Sequence, residues 1–145
     1  MKTPKIAEKT FVDGSNCAQA VFTAFCEKYG IDRGSGMKLC SAMGGGIAYK
    51  GNTCGAVTGA LMVIGLHYGQ DTVIEDFNHR AVEMATEFLR RFEALYSDTD
   101  CRGLLGYDIS DPDQKEEIRS LGLFNTRCPG FVGGAAHILE QLLKE

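Results

Sequence analysis

Ala56-Val-Thr-Gly-Ala-Leu-Met-Val-Ile-Gly-Leu66 is apolar on every side of the helix that it would form. Such a helix has no face to offer to water and must be enclosed by other elements. Its longest strictly apolar run, Ala60 to Leu66, is far too short to cross a bilayer. Gly51-Asn-Thr-Cys-Gly leads into it, so Thr53 or Asn52 is expected to cap the helix and Cys54 to stand at the junction. Gly55 and Gly59 are four apart and share one helical face. Each costs about 1 kcal/mol of helix propensity relative to Ala, so a close approach of another backbone beside Cys54 is expected. A contact within the chain is the preferred use of that face, and the same face leaves room for a homodimer.

The remaining sequence supplies amphipathic helices to surround this one. Thr3 to Val12 is expected to turn Ile6, Ala7 and Phe11 inward. Ser15 or Asn16 caps a helix from Cys17 to Tyr29 that ends at Gly30, followed by a polar link over 32–36 and a short helix over 37–43. The longest helix is expected from Asp71 or Thr72 to Tyr96, with Val73, Phe77, Val82, Phe88, Leu89, Phe92 and Leu95 as its apolar stripe. Cys101 to Gly106 reads as a short helical turn. Asp111-Pro112 opens a helix that ends near Gly122, since Pro is well placed in a first turn. Cys128-Pro129 opens the last helix, which buries Val132, Ala135, Ala136, Ile138, Leu139 and Leu142. No alternating strand pattern, repeat or low-complexity tract is found. The expectation is an all-α bundle of about six to seven helices, one domain over residues 1–145, with the helix after Cys54 at its centre. Gly44-Gly45-Gly46 reads as a connector: no Gly-Lys-Ser/Thr follows and no strand precedes, so it is not a phosphate loop.

The net charge of −4, with both signs interspersed, argues against nucleic acid and anionic membranes as partners. The N-terminus lacks the apolar run of a signal peptide, so a cytoplasmic location is expected. Six cysteines are many for that compartment and point to metal binding or redox chemistry rather than structural disulfides. Cys17, Cys54, Cys101 and Cys128 each follow a capping cluster at an expected helix start, where free N–H groups favour a thiolate. Arg102 and Arg127 lie beside two of them. Cys26 and Cys40 fall inside helices and read as core residues. No Cys-x-x-Cys is present, which removes thioredoxin, zinc-knuckle and compact ferredoxin spacings. His67, His79 and His137 read as structural rather than ligating, and Asp108, Asp111 and Asp113 lack the offsets of a calcium loop.

Gly14-Ser-Asn-Cys17-Ala-Gln-Ala-Val21, Gly44-Gly-Gly46, Thr53-Cys54-Gly-Ala-Val-Thr-Gly59-Ala60, Cys101-Arg-Gly-Leu-Leu-Gly106 and Cys128 resemble, in that order, the C_GCAxxG_C_C family of proteins named for proposed redox activity. The central motif is a variant of the family's Gly-Cys-Ala-x-x-Gly. The resemblance implies a small helical domain with redox-active cysteines at Cys17, Cys54, Cys101 and Cys128, and related domains occur in electron-transfer proteins with iron centres.

The leading expectation is that these four cysteines converge to ligate an iron–sulfur cluster or another thiolate-bound metal for electron transfer to a partner protein. Cys54 and Cys101 are the candidate catalytic residues, and Gly55, Gly59 and Arg102 the candidate residues against a cofactor. The rival expectations are metal-free thiol–disulfide exchange, with Cys54 attacking and another cysteine resolving, and a non-catalytic helical interaction module. The chain would thus be an oxidoreductase or an electron carrier.

Overall fold

A computed structural model describes residues 1–73, 75–77 and 79–145. The described residues fold into helices, and their only β-type pairing is an isolated bridge between Thr53 and Asp100. The helices are α1 (Thr3–Val12), α2 (Cys17–Thr23), α3 (Arg33–Leu39), α4 (Gly55–Tyr68), α5 (Arg80–Tyr96), α6 (Cys101–Leu105), α7 (Pro112–Ser120), α8 (Leu123–Thr126) and α9 (Cys128–Leu142). A 3-10 turn, Cys26–Tyr29, lies between α2 and α3. The surplus over the expected six or seven helices comes from short pieces such as α8, of 4 residues. No helix among the described residues is long and apolar enough to cross a membrane.

α4 is enclosed over residues 55–64, whereas its last turn, with Gly65, Leu66 and His67, is exposed, short of the full enclosure expected through Leu66. α2, α5 and α9 pack around it, while α1 lies along α9. Ala56, Val57, Ala60, Val63 and Ile64 of α4 are buried. They share the main core with Val21 and Phe22 of α2, Phe88 and Phe92 of α5, and Val132, Ala135 and Leu139 of α9. A second apolar cluster contains Cys101, Leu105, Ile109, Ile118 and Cys128. The six residues expected to form the buried side of α9 are all buried.

Several expected elements are shifted. The helix from Cys17 ends at Thr23, and the chain tightens into the 3-10 turn before Gly30 closes it in the left-handed region at φ 83°. The expected polar link over 32–36 is part of α3, because the Asp32 carboxylate accepts from the Ser35 N–H at 2.9 Å and nucleates the helix. In α1, Thr10 takes the buried place expected of Ile6. Its hydroxyl donates to the Ile6 carbonyl at 3.0 Å, which makes burial affordable for a polar residue.

The largest difference is in α5. It begins at Arg80, with His79 extended as its N-cap, rather than at Asp71 or Thr72. Val73 and Phe77, expected in its stripe, are 97% and 86% exposed. These two apolar side chains are left in solvent, and a helix that buries no apolar face gains too little to form. The stripe that is buried, Met84, Phe88 and Phe92, has strict four-residue spacing, which leaves Val82 and Leu95 exposed.

The connector after Gly44 has its own architecture. Gly45, Gly46, Ile47, Ala48 and Tyr49 all have positive φ, between 51° and 75°, so the chain makes a left-handed turn. Left-handed backbone costs about 1–2 kcal/mol per residue other than Gly. Main-chain bonds hold it: the Ala48 N–H donates to Ala42 O at 2.8 Å, Gly51 to Gly45 at 3.0 Å and Asn52 to Gly46 at 2.9 Å.

Candidate functional site

Cys54, not Thr53 or Asn52, is the N-cap of α4. Thr53 cannot cap because it is taken up in the bridge to Asp100. Three main-chain bonds join the two segments there: Cys54 N–H to Thr99 O at 2.8 Å, Cys101 N–H to Asn52 O at 2.7 Å, and Arg102 N–H to Gly51 O at 3.1 Å. The start of α6 is thereby fixed against the start of α4, and Cys101 is brought beside Cys54.

The glycine face of α4 is occupied by α2. A Cβ on Gly55 would stand 2.8 Å from the Ala18 nitrogen and 3.1 Å from the Cys17 Cβ, and one on Gly59 would stand 2.8 Å from the Ala18 carbonyl oxygen. The close approach expected from the spacing is thus made within the chain, backbone to backbone, and it carries Cys17 to the α4 start. Asn16 fixes Cys17 as the first residue of α2 through a reciprocal cap: its Oδ1 accepts from the Gln19 N–H at 2.8 Å, and Gln19 Oε1 accepts from the Asn16 N–H at 2.9 Å. The Asn16 amide also donates to the Cys40 carbonyl at 3.0 Å, tying α2 to the end of α3.

Cys17, Cys54, Cys101 and Cys128 all line one cavity of about 140 Å³. All four thiols are free. They do not share the thiolate-favouring state expected of four helix starts. Cys54 alone among those with a resolved shift is drawn down, first by hydrogen bonding from Cys17 and then, against the cost of burial, by the Ala56 and Val57 N–H groups of the first turn. Cys17 is pushed well above its ordinary range by its hydrogen bonding to Cys128 and Cys54, by burial and by their charge. Burial pushes Cys101 up to about 12, with the neighbouring sulfurs adding to it and Arg102 only partly offsetting it. Position at a helix start is therefore outweighed by hydrogen bonding to the neighbouring sulfurs at Cys17 and by burial at Cys101. The Arg127 guanidinium donates to the Leu104 and Leu105 carbonyls at 3.5 and 3.3 Å, closing the end of α6.

The other candidates are placed apart. Gly55 lines the cavity, whereas Gly59 lies one turn deeper against Ala18. Arg102 lies outside the cavity: it donates to the Lys50 carbonyl at 2.9 Å, pairs with Asp108 at 3.7 Å, and borders a shallower acidic hollow. Cys26 and Cys40 are fully buried and do not line the cavity, as expected of core residues; burial lifts Cys40 to about 11. His67 Nδ1 bonds the Tyr29 hydroxyl at 2.8 Å. The donor set suits a soft metal chemically, but among the described residues no three His, Cys, Asp or Glu side chains are grouped to hold an ion.

Sequence reasoning missed the walls. Phe11, Phe124 and Phe131 converge on the sulfurs from α1, α8 and α9, with Leu104, Leu105 and Ile109 beside them. Nothing in their spacing distinguishes them from ordinary core. Gly45, Gly46 and Tyr49 complete the wall, and for these the triple glycine just before Cys54 was a usable signal.

The chain matches over residues 15–142 the family model described as "Putative redox-active protein (C_GCAxxG_C_C)". No curated protein and no solved structure matches it. The match covers most of the chain, so the protein belongs to the C_GCAxxG_C_C family.

Proposed function

Within this family we propose a two-thiol redox centre in which Cys54 is the attacking thiolate and Cys17 the resolving thiol. One observation carries the reading: Cys17 sits against Cys54 where α2 crosses Gly55, and its hydrogen bonding is the main cause of the lowered Cys54 pKa. The Cys54 thiolate attacks one sulfur of a substrate disulfide. A new S–S bond forms, the substrate bond breaks, and the departing thiolate takes a proton. With Cys54 bonded, its negative charge is gone and Cys17 loses that impediment to ionisation. Cys17 then attacks the Cys54 sulfur and releases the second substrate thiol. Two electrons pass from the cysteine pair to the substrate; Cys17 supplies one of the two protons and solvent the other.

A redox titration followed by mass spectrometry tests this. The expected product is a reversible Cys17–Cys54 disulfide, with Cys17→Ala trapping the mixed disulfide on Cys54. No disulfide at any potential, or one between other cysteines, would end the reading.

A second reading rests on a different observation, the four sulfurs around one cavity. Cys17, Cys54, Cys101 and Cys128 would then ligate an iron–sulfur cluster or another thiolate-bound metal, which supplies one-electron transfer when bound. Stoichiometric iron and sulfide after anaerobic reconstitution, lost in each Cys→Ala variant, would establish it. A cytoplasmic setting, where thiols are kept reduced, suits either reading.

A further inference from the structure

Among the described residues, the sixteen that line the cysteine cavity include no Asp, Glu, Lys, Arg or His. Three phenylalanines, two leucines and an isoleucine give it an apolar wall, and among the described residues its polar side chains are Ser15, Asn16, Tyr49 and the thiols. Its volume, about 140 Å³, is close to that of the apolar cavity of about 150 Å³ that accepts a benzene molecule. Tyr49 lines the cavity yet is 54% exposed, so it stands at the mouth. Two cations stand near the site without lining it: Lys115 Nζ is 5.4 Å from the centroid of the Tyr49 ring, and Arg102 pairs with Asp108 in the acidic hollow.

From this wall we infer that the redox site takes a small, uncharged, apolar organic disulfide and turns away charged ones. The inference rests on the two-thiol reading for its chemistry and on the cavity for its selectivity. Inside the cavity a charged group would lose its hydration and find no side chain of opposite charge on the wall among the described residues. An alkyl or phenyl group would trade water for the faces of Phe11, Phe124 and Phe131. The substrate R–S–S–R accepts the electron pair of the Cys54 thiolate at one sulfur and leaves as RSH. Closure of the Cys17–Cys54 disulfide releases the second RSH, so the substrate is reduced by two electrons and the cysteine pair oxidised by two.

The ethyl, 2-aminoethyl and 2-sulfonatoethyl methanethiosulfonates test the selectivity on the reduced wild-type protein, with the neutral 3,3-dimethylbutyl reagent, matched to the sulfonate in shape, as the control for size. In each, the Cys54 thiolate attacks the sulfenyl sulfur, an S–S bond forms, and methanesulfinate leaves. Rates at the Cys54 peptide are divided by the rates of the same reagents with free 2-mercaptoethanol. After this correction the ethyl reagent is expected to lead both charged reagents by about tenfold or more. Equal corrected rates, or a preference for either charged reagent, would overturn the inference. The two readings fail separately: a missing Cys17–Cys54 disulfide with the ethyl preference intact removes the redox step alone, whereas a normal disulfide with no preference removes the selectivity alone.

Discussion

The starts of α4 and α6 face each other across three main-chain hydrogen bonds and look alike. Each opens with a buried cysteine, 5% exposed for Cys54 and 9% for Cys101, and each has a glycine in its first turns. They differ in what surrounds the sulfur. Cys54 has a thiol donor and two first-turn N–H groups. Cys101 has chiefly burial and like-charged neighbours, and its helix is only 5 residues long. A helix start therefore does not make a thiolate; converging donors do. The glycines differ too. Those of α4 meet the backbone of Ala18, which cannot yield, while a Cβ on Gly103 would meet the Asp98 carboxylate, which can rotate.

The sharpest way to break this contrast is alkylation. With a pKa of about 12, Cys101 is ionised in roughly one molecule in 10⁵ at pH 7. Cys54 is expected to react with iodoacetamide about a hundredfold faster or more, read by peptide mass spectrometry across a time course. Comparable rates at pH 7 would erase the distinction between the two starts.

Next in size is packing. Gly59→Val should destabilise the protein by about 3 kcal/mol in urea unfolding, because its side chain meets the Ala18 backbone. Gly103→Ala should cost about 1 kcal/mol or less, since Asp98 gives up only its bonds to the Thr99 and Asp100 N–H groups. Equal losses would mean that the two crossings are equally rigid.

The pH profile follows from the directions of the shifts. Cys40 and Cys101, raised to about 11 and about 12, favour the thiol in the folded state. Their stabilisation is complete below the ordinary thiol pKa of about 8.5 and is lost as pH climbs towards those values. Cys54 has the opposite sign: its contribution is present above the ordinary value and falls away as pH drops through its lowered pKa. The melting temperature should therefore fall from about pH 9 upward, less steeply in Cys101→Ala than in wild type. An unchanged slope in that variant would dissociate Cys101 from the alkaline loss.

The smallest effect belongs to Arg102. Its guanidinium is half-exposed and only partly offsets the burial of Cys101. Arg102→Gln should move stability by less than about 1 kcal/mol and raise the Cys101 pKa slightly, seen in the pH–alkylation curve of a Cys54→Ser background. A large upward shift would show that charge, not burial, controls Cys101.

The helical fold, the central α4, the boundaries of α1 and α7 and the start of α9 were legible because each rests on local pattern: an all-apolar run, a proline in a first turn, a capping cluster before a cysteine. The beginning of α5 was not, since Val73 and Phe77 have the spacing of a helix and lack only a neighbour, which is a property of the fold. Nor were the individual sulfur environments. Cys17, Cys54 and Cys101 share one sequence context, yet the first and third are raised and the second lowered, because hydrogen-bond partners and burial differ at each sulfur. The left-handed turn over 45–49 was hidden behind a glycine run that also fits a flexible link.

Replacing a helical glycine with alanine is among the first moves in making a protein more heat-resistant. At Gly55 and Gly59 that move would raise the propensity of α4 while wedging α2, and Cys17 with it, away from Cys54. A lineage under selection for stability alone would drift towards a better helix and a silent sulfur pair. The two glycines thus set an upper bound on how robust this scaffold can become while its thiols stay within reach of each other.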